Sequence, residues 1–218
     1  MKSTQTLLVI LLLLAVGAEG SAREKKEFDP RLRRNYEIVF DTSGSMSGKK
    51  LKIAKESLKR FLSRLPAETY VGLIVFERGH PKEVLPIGRH DPATLARTVD
   101  RMKAGGHTPI KGSIELAMKN LAKRKAEQFG YGDFIILLVS DGEETIDPRG
   151  LPGTVRRAID SGYVIDVIGF DLPREHSLKA LVTNYRHAGN QAELDRALSD
   201  VLAEAESFEE ISDFAAEQ

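Results

Sequence analysis

Short apolar runs alternate with helix-patterned segments along nearly the whole chain. That alternation predicts an α/β fold: a mainly parallel sheet with helices covering both faces. Tyr36–Phe40, Tyr70–Phe76, Phe134–Val139 and Tyr163–Phe170 are apolar almost throughout, as strands buried on both faces must be. Phe134–Val139 is the most apolar and belongs near the sheet centre. Between them, Lys50–Leu65 carries Leu51, Ala54, Leu58, Phe61, Leu62 and Leu65 at helical spacing, with a lysine-rich outer face, and Pro66 ends it. Asp91-Pro92 opens a second helix with an N-cap aspartate and a proline in the first turn. A third follows Pro109 and fades into the charged stretch Lys123–Gln128. Pro152–Ser161, a short segment Ser177–Val182 and a long one from Gln191 complete the helices. The turn Gly79-His80-Pro81 is too short for a parallel crossover. Lys82–Ile87 is therefore expected to pair antiparallel with the strand before it, at an edge of the sheet. Tyr185–Ala188 is a short last strand.

The 218 residues suit one such domain after processing, with chain enough for a sizeable core. Basic and acidic residues are equal at 32 each and interleaved, so no nucleic-acid surface is expected. Cysteine is absent, which excludes disulfides and thiolate metal sites and leans towards a bacterial periplasm. At the start, Lys2 precedes an apolar run, Leu7–Val16, followed by Gly17, Ala18, Gly20, Ser21 and Ala22. This has the form of a secretory signal over 1–22, cleaved after Gly20 or Ala22, with an uncleaved anchor as the alternative. The run is shorter than the roughly 20 residues that span a bilayer. The expected protein is thus secreted or periplasmic, with no membrane span after cleavage. A linker is expected over 23–34, the domain over 35–205, and an acidic tail over 206–218 that extends the last helix or frays.

Chemistry concentrates at Ile38-Val39-Phe40-Asp41-Thr42-Ser43-Gly44-Ser45-Met46-Ser47-Gly48. An apolar strand runs into a polar loop and then a helix, the place where open α/β folds hold ligands. Two further loops arrive at the same edge. One supplies Thr108, within Gly105-Gly106-His107-Thr108-Pro109. The other supplies Asp141, within Ser140-Asp141-Gly142. Asp41, Ser43, Ser45, Thr108 and Asp141 are hard oxygen donors carrying two negative charges. They suit a six-coordinate divalent cation with one position open, Mg²⁺ first and Mn²⁺ or Ca²⁺ as alternatives. Each motif alone is weak, since loop hydroxyls usually cap helices and Asp-Gly usually turns the chain. Their order and strand-end positions together make the signal.

This set resembles the von Willebrand factor type A domain and its metal-ion-dependent adhesion site, over about Asn35 to Leu202, with all five positions present. The resemblance implies a Rossmann-like three-layer α/β/α sandwich whose six strands run 3-2-1-4-5-6, strand three antiparallel. It implies hydroxyl ligation by Ser43, Ser45 and Thr108, and binding by Asp41 and Asp141 directly or through water. A protein partner's Asp or Glu would complete the coordination, in a family that mostly binds rather than catalyses. His107 departs from the small residue usual before the threonine.

Other residues are weighed against that reading. Glu143 and Glu144 form a carboxylate pair beside Asp141, so a metal-dependent hydrolase is the runner-up; a solvated loop flanking the site is the plainer expectation. His107 is expected to be an exposed neighbour of the site. His80, His90, His176 and His187 are scattered, without an acidic companion. Asp171 can fringe the site, and Asp166 lies within a strand. No phosphate-binding Gly-x-x-x-x-Gly-Lys-Ser/Thr and no Gly-x-Ser-x-Gly elbow occurs. A third alternative is a scaffold role through a helix face such as the acidic tail.

Overall fold

The faces of β1 (Asn35–Phe40) divide the molecule into layers. Successive side chains point to opposite sides of a strand. Tyr36, Ile38 and Phe40 join one core with α1 (Lys49–Arg64), α2 (Pro92–Arg101) and α5 (Gln191–Ala216). Val39 joins the other, against α3 (Ile110–Glu127) and α4 (Leu151–Asp160). The computed structural model describes residues 28–172 and 176–216, with side chains through Glu204. The leader expected over 1–22 lies outside these residues. Among them, no helix is long and apolar enough to cross a membrane.

The sheet continues through β2 (Tyr70–Glu77), β3 (His80–Gly88), β4 (Phe134–Ser140), β5 (Val164–Phe170) and β6 (Asn184–Ala188), in the order β3-β2-β1-β4-β5-β6. β1 pairs parallel with β2 and β4, and β5 with β4 and β6, while β3 alone is antiparallel. This is the expected three-layer, Rossmann-like sandwich. Phe40 lies opposite Val139, so β1 and β4 end level and deliver Asp41 and Ser140 side by side. The β2–β3 connection is the two-residue turn Arg78-Gly79, both at positive φ (53° and 82°), which matches the twist of a tight hairpin.

Several expectations shift. α3 keeps its helix through Glu127, with an Arg124–Glu127 pair at 2.6 Å in its charged last turn. Ser177–Ala180 is a single 3₁₀ turn. Part of the expected linker, 28–34, packs on the domain. The Arg33 guanidinium stacks 4.1 Å from the Tyr70 ring centre, and the buried Gln128 amide donates to the Arg31, Arg33 and Tyr131 carbonyls. α5 runs on through Ala216, so the expected tail extends the helix.

β1 is not purely apolar. Glu37 is fully buried, and neither carboxylate oxygen has a hydrogen-bond partner. Its room comes from Gly72 on β2, directly opposite, where an added Cβ would lie 2.4 Å from the carboxylate. Burial, and then the Glu83 charge, push the Glu37 carboxyl up to about 8. A neutral acid inside a sheet is far cheaper than a buried charge.

Candidate metal centre

Asp41 is fully buried and fixed from two directions. Its Oδ1 accepts from the Ser43 amide at 2.7 Å, which folds the loop back on itself, and its Oδ2 accepts from the Ser140 hydroxyl. The Asp41 amide donates to the Val139 carbonyl at 2.9 Å. Desolvation raises the Asp41 carboxyl above its ordinary range, against hydrogen bonds from Ser140 and Ser43 that lower it. Thr42 locks the loop to β2, donating to the Phe76 carbonyl at 2.7 Å and accepting from the Phe76 amide at 3.0 Å.

A chain of oxygens runs from here across the site. Ser43 Oγ and Ser45 Oγ are 3.0 Å apart, and Ser45 Oγ donates to Asp141 Oδ1 at 2.7 Å. Thr108 reaches the same loop, with its hydroxyl 3.7 Å from where a Cβ on Gly142 would sit. Its backbone is pinned to Thr145, whose hydroxyl accepts from the Thr108 amide at 2.9 Å. The second loop is tied to the first, as Gly105 N donates to Thr42 O at 2.8 Å and Gly44 N to Gly106 O at 3.0 Å. All five expected side chains thus sit on three loops that meet at the carboxyl ends of β1 and β4. Adjacent oxygens of an octahedron with Mg²⁺ bond lengths are about 2.8–3.0 Å apart. The Ser43–Ser45 separation of 3.0 Å matches that spacing and the hydrogen-bonded Ser45–Asp141 pair at 2.7 Å is slightly tighter, while the donors themselves, hydroxyls and carboxylates, are of the kind a small hard cation takes. Among the described residues no cluster of three or more His, Cys, Asp or Glu side chains could hold a metal. A cation here would depend on the hydroxyls.

Four residues take parts the sequence did not reveal. Lys50, expected on the lysine-rich outer face of its helix, instead turns back over the site. Its Nζ lies 2.7 Å from Asp141 Oδ2 and 3.2 Å from Asp171 Oδ2, so Asp171 does fringe the site. Its place in the first turn of α1 was the available clue. His176 is buried, and it has the acidic companion that the sequence did not disclose, since Glu143 Oε2 lies 3.4 Å from Nδ1. Nδ1 accepts from the Leu178 amide at 3.1 Å, so Nε2 carries the proton towards the Gly142 carbonyl at 2.8 Å. Desolvation lowers the His176 pKa, which keeps the ring neutral.

Glu143 and Glu144 are not a freely solvated pair. Glu143 accepts from the Ser177 amide at 2.8 Å and from its hydroxyl. Glu144 is buried and accepts from the amides of Lys111, Ile146 and Asp147, capping α3 and closing its own turn. A lone sequence offers no signal for such backbone-directed acceptors. His107 is exposed, as expected, and packs on the hairpin with Cδ2 3.2 Å from the position of a Cβ on Gly79. Asp166 lies away from the site, accepting from Asn184 at 2.6 Å on β6.

Comparisons with known proteins agree with this fold. The model of the family described as von Willebrand factor type A domain matches residues 37–209. Over 149 residues the chain is 30% identical to inter alpha-trypsin inhibitor, heavy chain 4 of Mus musculus, covering 65% of this chain and 16% of that protein. It is thus similar to a small part of a much longer protein. It is 25% identical over 178 residues to the uncharacterized protein YwmC of Bacillus subtilis, covering 73% of this chain and 76% of that one. The vWF domain of the type V pili tip protein Mfa5 from Porphyromonas gingivalis superposes with a TM-score of 0.69 at 16% identity, over 80% of this chain and 95% of that domain. At that identity the likeness concerns the fold alone.

Proposed function

Since the chain belongs to the von Willebrand factor type A domain family, we propose that it is a secreted or periplasmic module that captures a protein partner through a divalent cation. Asp41, Ser43, Ser45, Thr108 and Asp141 would hold the cation, Mg²⁺ first and Mn²⁺ or Ca²⁺ in its place. The observation that carries this reading is the run of hard oxygen donors from Ser43 through Ser45 to Asp141, each within 3.0 Å of the next. When bound, the cation would supply the positive charge that draws a partner's Asp or Glu. The chain's own residues set the strength of that attraction. Two of the five donors are carboxylates, which balance the cation's formal charge, and Lys50 at 2.7 Å from Asp141 Oδ2 offsets part of theirs, so an incoming carboxylate still meets positive charge. Asp41 is held away from solvent, where electrostatic contacts are stronger. His176 and Thr145 brace the Gly142 and Thr108 backbones and keep the hollow in shape.

The proposed role is binding rather than catalysis. A hydrolase would need a free general base; Glu143 and Glu144 are both engaged with backbone amides, which leaves the exposed His107, packed on the hairpin, as the remaining candidate. The Leu7–Val16 run supports export. The test is affinity capture from native extract with Mg²⁺ and with chelator. A partner retained in Mg²⁺, and lost with chelator or with Asp41→Ala, is expected. A partner retained equally with chelator would overturn the reading.

A further inference from the structure

Beside the metal hollow lies a cleft of about 510 Å³ between the β2–β3 hairpin and the segment joining α2 to α3. Its floor is apolar, with Val75, Val84 and Met102 among its lining residues. Its rim is strongly basic. Lys82 pairs with Glu77 at 2.6 Å, but Arg78, Arg101 and Lys103 are exposed and form no ion pair among the described residues. The formal net charge of the whole chain is zero, so three unpaired cations around one hollow are a local excess.

The cleft and the hollow share a wall. Gly105 and Gly106 line the cleft, and the same two residues are hydrogen-bonded to the Asp41–Ser45 loop through Thr42 O and Gly44 N. Gly106 sits at φ 84°, so tightly against the hairpin tip that an added Cβ would lie 2.8 Å from Gly79 N. Arg78 overhangs it from a left-handed turn position (φ 53°), where hairpins favour Asn, Asp or Gly. A non-glycine residue in that conformation carries a local strain that points to a use for its side chain.

We propose that this cleft is the second half of the partner site. It would take an acidic peptide segment in which aliphatic residues alternate with Asp or Glu, seated beside the carboxylate bound at the metal. The aliphatic side chains would cover Val75, Val84 and Met102, and the acids would face Arg78, Arg101 and Lys103. A purely polyanionic ligand such as a sulfated glycan would use the rim and leave the apolar floor bare. The proposal rests on the metal-dependent reading for its neighbour but not for its own contacts.

The test uses a fluorescein-labelled peptide of alternating Asp and Leu, read by fluorescence anisotropy in Mg²⁺ and in chelator. Control peptides carry Asn for Asp, or Ser for Leu. The Asp-Leu peptide should bind at least about ten-fold more tightly than either control, and R101E/K103E should weaken it by about ten-fold or more, mostly through association rate and salt dependence. Calorimetric Mg²⁺ affinity of R101E/K103E should stay at the wild-type value. Failure of any peptide to bind, wild-type affinity in R101E/K103E, or tighter binding of heparin than of the peptide would overturn the cleft. Loss of peptide with chelator but not with R101E/K103E would sink the cleft and spare the metal reading. Loss with R101E/K103E but not with chelator would do the reverse.

Discussion

Lys50 illustrates how one side chain can tune a site without being a ligand. Its ammonium is 2.7 Å from Asp141 Oδ2, where it competes with any cation for the same carboxylate. Asp171, 3.2 Å from the same nitrogen, offers it another partner. Lys50→Met should therefore tighten Mg²⁺ binding about ten-fold, which corresponds to ~1.4 kcal/mol. Titration calorimetry reads this directly, and unchanged or weaker binding would mean that Lys50 helps to shape Asp141 instead. Glu37 poses a separate residue-scale question. Its folded carboxyl is raised from 4.5 to about 8, so the native state holds a proton that the unfolded chain releases. That contribution to stability is fully present below pH 4.5 and is lost as pH rises to 8. The loss is at most about 5 kcal/mol over that window. Glu37→Gln should flatten the dependence, measured as denaturant midpoints across the window; parallel curves for the two proteins would refute a neutral Glu37. The sequence hid both features. Lys50 looked like one more exposed lysine, and Glu37 looked like an interruption in an apolar run.

At the scale of elements, pattern and spacing carried further. Strands with no solvated face are recognisable as continuous apolar runs, and a connection as short as Gly79-His80-Pro81 implies an antiparallel hairpin, although the turn itself is Arg78-Gly79 and His80 and Pro81 already belong to β3. Legibility ended where one backbone answers another. Nothing in the sequence says that Gly72 is small because Glu37 points at it across the β1–β2 pairing. Gly72→Ala should destabilise by about 1–3 kcal/mol, as overpacked cores do. Adding Glu37→Ala in the same chain should recover part of that loss, a coupling that thermal melts of the four proteins would expose. Additive losses would show that the two residues do not share one space. The same limit explains Glu144 and His176. Both act on amides or carbonyls of distant loops, and hydrogen bonds to backbone leave no periodicity to find.

For the whole molecule, the sandwich serves to bring three loops together at one sheet edge. β1 and β4 are neighbours in the sheet, which places Asp41 beside the Ser140-Asp141 loop. The α2–α3 connection arrives over the top, sewn to the first loop by Gly105 and Gly106. α5 is tied to α1 by Arg60–Asp195 at 2.8 Å and to β6 by Arg186–Glu204 at 2.5 Å. A ligand that binds only this assembled state must stabilise it, by about 2.7 kcal/mol when present at 100 times its Kd. Thermal melting should therefore shift upward with Mg²⁺ in the wild-type chain and not in Asp41→Ala. The convergence of loops was legible from strand-end positions; the cleft beside them was not, since its wall and rim come from three separate stretches of chain.

The central claim is that loops far apart in sequence form one oxygen-only cation site. Calorimetric titration of Mg²⁺ into the wild-type chain and into Asp41→Ala, Thr108→Ala and Asp141→Ala, each checked for folding by circular dichroism, tests it most directly. One binding event per chain, lost or strongly weakened in each of the three variants, is the predicted result. Wild-type binding in a folded Thr108→Ala or Asp141→Ala protein, or no binding in the wild-type chain, would contradict it.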